Sequence, residues 1–98
     1  MSACLPNRVG VTPNVLFQDL GGESVLLNLD NDRYYGLDDV GTKMWRLMAE
    51  HGDIETVLDR LLAEYADQID APTVRRDLGE LIAKLTEAGL LTVEPSPT

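Results

Sequence analysis

The chain has little with which to do covalent or metal chemistry. Its 98 residues hold one cysteine, Cys4, and one histidine, His51. A single thiol closes no internal disulfide, so nothing points to an oxidising compartment. One Cys and one His cannot make a zinc set, and no metal or other cofactor is expected. Nor do they make a nucleophile–base pair, since they fall in different segments, so no catalytic residue is named and no enzyme is expected. His51 reads instead as a residue suited to the C-terminal end of a helix. Basic charge is also scarce. Eight Lys and Arg stand against 17 acids, a net −9. That balance argues against binding nucleic-acid phosphates or an anionic membrane. Apolar runs stop at three or four residues, far short of the ~20 that span a bilayer. The opening MSACLPNRVG lacks an apolar run behind positive charge, so no signal peptide is expected and the expected compartment is the cytoplasm.

Other chemistries fail on placement. No glycine-rich loop opens a helix, so Gly21-Gly22 reads as a hairpin loop rather than a phosphate cradle. Asp30/Asp32 and Asp38/Asp39 lack the full calcium loop with its terminal glutamate and read as turn and cap residues. An acidic carrier protein needs a serine at a helix start, and Ser2, Ser24 and Ser96 fall in a tail, a hairpin and a tail.

What is there reads as one domain, with 44% apolar residues to build its core. Residues 1–10 are expected to be a flexible N-terminus, 11–93 the domain and 94–98 a flexible tail, with residues 1–11 read as irregular. Val15–Leu20 and Val25–Leu29 alternate about Gly21-Gly22 as a hairpin. A three-residue loop, Gly21-Gly22-Glu23, pairs Phe17 with Leu27 and Val15 with Leu29. A two-residue Gly-Gly turn would instead set Gln18 beside Val25 and Leu16 beside Leu27. The first is preferred because it gathers the larger apolar set on one face. Asp30-Asn31-Asp32 makes the next turn, and Arg33–Leu37 is the third strand. A three-residue loop there sets Leu29 opposite Tyr35 and Leu27 opposite Leu37, while a two-residue turn swaps the tyrosines.

Asp38 or Asp39 caps a first helix with Val40, Met44, Trp45, Leu47 and Met48 in its stripe and Gly52 as its stop. Asp53 caps a second, where Ile54, Val57, Leu58, Leu61, Leu62 and Tyr65 follow helical spacing. Residues 66–71 connect to a third helix, opened by Pro72 and carrying Val74, Leu78, Leu81, Ile82 and Leu85 until Ala88-Gly89. Leu90, Leu91 and Val93 pack or form a short extended end. The expected fold class is α+β, a three-stranded antiparallel sheet followed by three helices. That parts list also suits a winged-helix DNA-binding regulator, the alternative reading. Arg75, Arg76 and Lys84 on the third helix are offset by Asp77, Glu80 and Glu87, which weakens it.

The run VLLNLDNDRYYGLDDVGTKMWRLM resembles the pyrroloquinoline-quinone biosynthesis protein D family (PqqD-like). The resemblance rests on the Val25–Leu29 strand, the Asp30–Asp32 turn, the step Tyr35-Gly36-Leu37-Asp38, then Gly41 and Trp45, and on the later EAGLL. It spans roughly Val11 to Val93. It implies a winged-helix-like fold and the role of a RiPP recognition element, a non-enzymatic module that binds the leader of a ribosomally made precursor peptide. Small stand-alone members of this kind resemble the leader-binding protein of lasso-peptide biosynthesis. The implied partners are the leader peptide and a leader-cleaving cysteine protease, followed by a macrolactam cyclase. The implied mode is strand addition to the edge of the third strand, in a groove walled by the third helix. Carried onto this chain, the strand side is Arg33, Tyr34, Tyr35, Gly36 and Leu37. The helix side is Val74, Asp77, Leu78, Leu81, Lys84 and Leu85. Leu78, Leu81 and Leu85 suit plain core better than direct contact with the peptide. A further alternative is an accessory subunit that stabilises an enzyme and ignores the peptide.

Overall fold

The computed structural model describes residues 5–65 and 67–94. Cys4 and residues 95–98 of the expected tail lie outside them. The elements run β1 (Arg8–Val11), β2 (Val15–Asp19), β3 (Ser24–Asn28), β4 (Tyr34–Leu37), α1 (Asp39–His51), α2 (Ile54–Tyr65), α3 (Ala71–Glu87) and β5 (Leu91–Glu94). The antiparallel sheet β2-β3-β4 followed by three helices is the expected α+β plan. The reading of residues 1–11 as irregular is corrected at Arg8–Val11. β1 pairs antiparallel with β5, Val9 opposite Val93 and Val11 opposite Leu91. Val9 also donates from its amide to the Gly52 carbonyl at 2.9 Å, which stitches the strand to the α1–α2 corner. A four-residue strand whose partner lies some 80 residues away leaves no local pattern to read.

Both hairpin registers differ from the preferred ones. Leu16 faces Leu27 and Phe17 faces Leu26, the register of the two-residue Gly-Gly turn. Gly21 and Gly22 both take positive φ, 86° and 106°, as a primed turn requires. The Asp19 carboxylate accepts from the Gly21 amide at 2.8 Å and clamps that turn. In the second hairpin Tyr35 faces Leu26 and Tyr34 faces Leu27, not the Leu29–Tyr35 and Leu27–Leu37 pairs expected. The Asn28 amide bonds the Arg33 carbonyl, so the loop is longer than either choice considered, with Asp32 at φ 62°. Tyr35 and Leu37 nevertheless share the inner face, with Tyr34 and Gly36 on the other, as expected.

The physical reason for the slip is that β3 buries its polar residues. Ser24, Leu26 and Asn28 point inward, and Val25 and Leu27 outward. Ser24 Oγ lies 2.8 Å from Thr42 Oγ1. Asn28 donates to the Gly89 carbonyl at 2.8 Å and accepts from the Asp30 amide at 2.9 Å. A buried polar group with all its bonds made is tolerated, so counting apolar residues per face misjudges this strand. Asn28 also ties the end of β3 to the end of α3. Replacing it with Ala should destabilise the domain by ~1–3 kcal/mol, because the Gly89 carbonyl loses its buried donor. A chemical denaturation curve checks this, and an unchanged midpoint would mean water replaces the amide.

The helix caps follow the sequence. Asp38 accepts from the Gly41 amide at 2.7 Å, and Gly52 ends α1 at φ 74°. Asp53 accepts from Thr56 Oγ1 at 2.7 Å and opens α2. The core gathers Leu26 and Leu37 of the sheet with Met44, Trp45 and Met48 of α1, Val57 and Leu61 of α2, Leu78 and Leu85 of α3, and Leu90. Bonds from Thr56 hold the Asp53 carboxyl below its ordinary value of 3.8, and bonds from Gly21 and Gly22 do the same for Asp19. A depressed folded-state pKa contributes stability above the unfolded value and loses it as pH falls through the folded one. Thermal stability should therefore decline below about pH 4, with a shallower decline for Asp53→Ala. Parallel profiles for the two proteins would contradict this.

Candidate functional site

β4 has β3 on one side and, among the described residues, no strand on the other. The phase of its hydrogen bonding follows from one contact. Asn28 and Arg33 are directly opposite, and the Asn28 amide reaches the Arg33 carbonyl at 2.8 Å. Bonded and non-bonded pairs alternate in an antiparallel ladder, so Tyr35 and Leu37 turn their backbone groups toward β3. Tyr34 and Gly36 turn theirs toward the open edge. Gly36 has ample room: a Cβ added there would meet nothing within 4 Å.

Beside that edge lies a groove walled by α3. It has two parts, of about 430 and 630 Å³, and Tyr35 and Lys84 line both. The first runs from Tyr35, Gly36 and Leu37 across to Asp77, Leu81 and Lys84. The second takes in Arg33 and Tyr34. The structure thus brings together all five strand residues named from the sequence, and three of the six helix residues. Val74, Leu78 and Leu85 do not line it. They are 2%, 0% and 0% exposed and lie in the core beneath. At about 100° per residue, Val74, Leu78, Ile82 and Leu85 occupy one arc of α3, and Asp77, Leu81, Lys84 and Ala88 the next. Grouping by i, i+3 and i+4 spacing alone merged two adjoining faces.

Sequence reasoning missed the floor and end of the groove. Val40, Gly41 and Met44 of α1 line it, with Asp38, Ile69 and Glu80. Asp32, Glu87 and Ala88 complete the second part. One signal was present: Leu37 passes straight into the Asp38 cap, so the first turn of α1 must sit at the end of β4. Gly41 permits that approach, since a Cβ there would lie 3.1 Å from Asp38 Oδ1 and 3.3 Å from Leu37 Cδ2. Ile69 had no signal, because the α2–α3 connection is irregular.

The groove is apolar at Tyr35, Val40, Met44, Ile69 and Leu81, and charged at its rim. Asp38, Asp77 and Glu80 stand at one end and Lys84 at the middle. Arg76 Nε lies 3.9 Å from Asp77 Oδ1 on an exposed surface, a pair that contributes little. Such a surface offers backbone pairing, apolar pockets and polar rim contacts. It offers no assembled proton-transfer pair. His51 stands at the C-terminal end of α1, outside the groove, where Arg8 donates to its carbonyl at 3.5 Å. Among the described residues no group of three or more His, Cys, Asp or Glu is gathered as a metal site, and no helix is long and apolar enough to cross a membrane.

Comparison with known proteins places the family and the fold. The chain superposes on TbiB1 in complex with the TbiA(beta) leader peptide at a TM-score of 0.76 and 36% identity, covering 84% of this chain and 93% of that one. It superposes on lasso peptide synthetase B1 complexed with the leader peptide at 0.73 and 20% identity, covering 86% and 96%, a likeness of fold. No curated protein matches in sequence. The family model for coenzyme PQQ synthesis protein D matches residues 23–91, which takes in the second hairpin, all three helices and both walls of the groove, and the chain belongs to the PqqD family.

Proposed function

We propose that this chain is a non-enzymatic module that binds the leader segment of a ribosomally made precursor peptide, and that the precursor is a lasso peptide. The observation that carries the reading is the open edge of β4 beside an apolar groove, in a family member similar to a leader-bound structure. An extended leader adds to β4 as a fourth strand, its backbone meeting Tyr34 and Gly36. Alternate side chains enter the groove against Tyr35, Leu37 and Leu81, and polar groups meet Asp77, Lys84 and Arg33 at the rim. One or two apolar or aromatic anchors supply most of the affinity. The bound leader is then delivered to a leader-cleaving cysteine protease and a macrolactam cyclase in the cytoplasm. The net charge of −9 weighs against the winged-helix regulator.

The test is titration of the purified chain with the leader of its precursor, single residues being replaced by proline. Binding lost at alternate backbone positions, with no turnover of the peptide by the chain alone, is the expected result. A leader that tolerates proline throughout would rule out strand addition. Titration with labelled duplex DNA at low salt is expected to show no binding.

A further inference from the structure

α3 carries a third face. At about 100° per residue, Pro72, Arg76, Gly79 and Ala83 fall on the side of the helix opposite its core stripe. A cavity of about 640 Å³ lies against them, walled by Leu5 of the N-terminal segment. Leu5 comes close because Gly79 has no side chain: a Cβ there would lie 3.2 Å from Leu5 Cδ2. Pro72 and Ala83 are exposed, so the cavity opens to solvent. Its lining is apolar except for Arg75, Arg76 and Glu80.

Two features select the occupant. The first is continuity with the groove. Glu80 lines both this cavity and the part of the groove that reaches Leu37 and Ile69. The two spaces therefore meet across a single helix, ~10–12 Å wide with its side chains. An extended chain advances ~3.3–3.6 Å per residue, so roughly three or four residues make the crossing. The second is charge. The chain carries −9 overall, yet two adjacent guanidiniums stand here. Among the described residues Arg75 has no ion-pair partner, and Arg76 has only its 3.9 Å contact with Asp77. Together they outweigh the Glu80 carboxylate and favour an anion, which a second copy of this acidic chain does not supply without like-charge repulsion elsewhere.

We infer that the cavity on the back of α3 is a second subsite for the leader, taking an apolar side chain next to an Asp or Glu. Both come from the flank of the peptide that leaves the groove at the Leu37 end. This rests on the reading of the chain as a leader-binding module. The leader then holds α3 from two sides, as a strand beside β4 and as a short arm crossing the helix at Glu80. The strand edge reads backbone and shape. The arginine pair adds a charge test, because a leader with a basic or neutral flank leaves it unanswered.

The experiment uses the full chain and the fluorescein-labelled leader of its precursor. The leader is intact, or shortened by about five residues on one side or the other of the strand-adding segment. Affinity is read by anisotropy and folding by circular dichroism. Arg75→Glu combined with Arg76→Glu changes two exposed positions. It should weaken the intact leader by at least about tenfold at low salt, and by less at about 0.5 M. Ala83→Phe fills the cavity and leaves the charges alone, and should weaken the intact leader by at least about threefold. Shortening the leader on the flank that crosses α3 should weaken binding to the parent and bring both variants level with it. Changing the flank acids to Lys should restore binding to the arginine-reversed variant. Equal binding of the intact leader by the parent and both folded variants overturns the subsite. So does a loss that persists with both shortened leaders, or a flank that holds no acid. A parent that binds neither intact nor shortened leader overturns the leader reading itself, and the subsite with it.

Discussion

Gly36→Pro should reduce leader affinity by at least about tenfold, or ~1.4 kcal/mol, while the domain stays folded. Gly36 sits in a non-bonded pair opposite Val25, so its amide serves the open edge and not the β3 ladder. Proline therefore removes no internal sheet bond, and edge strands tolerate it where the amide faces outward. A Cβ at this position meets nothing within 4 Å, and the glycine takes no positive φ that a side chain would forbid. What the ring removes is one donor to the incoming strand, worth ~0.5–1.5 kcal/mol. It also fills the space through which a fourth strand must approach. Gly36→Ala is the control, keeping the amide, and should bind leader nearly as the parent does. Circular dichroism establishes the fold of each variant and calorimetry the affinity. If Gly36→Pro binds as well as Gly36→Ala, the leader does not use this edge.

The second large effect separates the two faces of α3. Leu78→Ala should destabilise the domain by ~2–5 kcal/mol, the range for emptying a buried leucine site. In a domain of this size that lowers the melting temperature by roughly 10 °C or more. Leu78 has no exposed surface and packs in the core with Leu26, Met48 and Leu61. Leu81, three residues further on, is half-buried and lines the groove. Leu81→Ala should cost less stability, on the order of 1 kcal/mol, since part of that surface already meets water. It should weaken the leader instead, by about tenfold, as expected of an apolar anchor site. A leader affinity that falls for Leu78→Ala in folded protein and holds for Leu81→Ala would reverse the assignment.

These two predictions depend on distinctions that local pattern reaches unevenly. The amphipathic stripe of α2 and the Asp38, Gly52 and Asp53 boundaries were legible because they rest on residues within a few positions of one another. That Tyr34 and Tyr35 fall on opposite faces was legible too, since alternation along one strand is local, but which of them faces the groove turned on the length of the loop before them. The registers were not. They turned on Ser24 and Asn28 being buried, which depends on Thr42 and Gly89 being there to bond them. The strand side of the groove was legible as a set. The helix side was half legible, because core and groove faces of α3 adjoin and both are apolar in part.

The sequence by itself determined the kinds and order of the central elements and the acidic balance that disfavours nucleic acid. Those follow from composition and from contacts spanning a turn or two of chain. Only the tertiary structure decided that Arg8–Val11 is a strand, since its partner β5 lies at the other end of the chain. It alone showed α1 and Ile69 closing the groove beside β4, and leucines left outside on the sheet while polar residues went in. Each of these turns on a partner far off in sequence, and a partner's identity is what sets the cost of burying a group or exposing it.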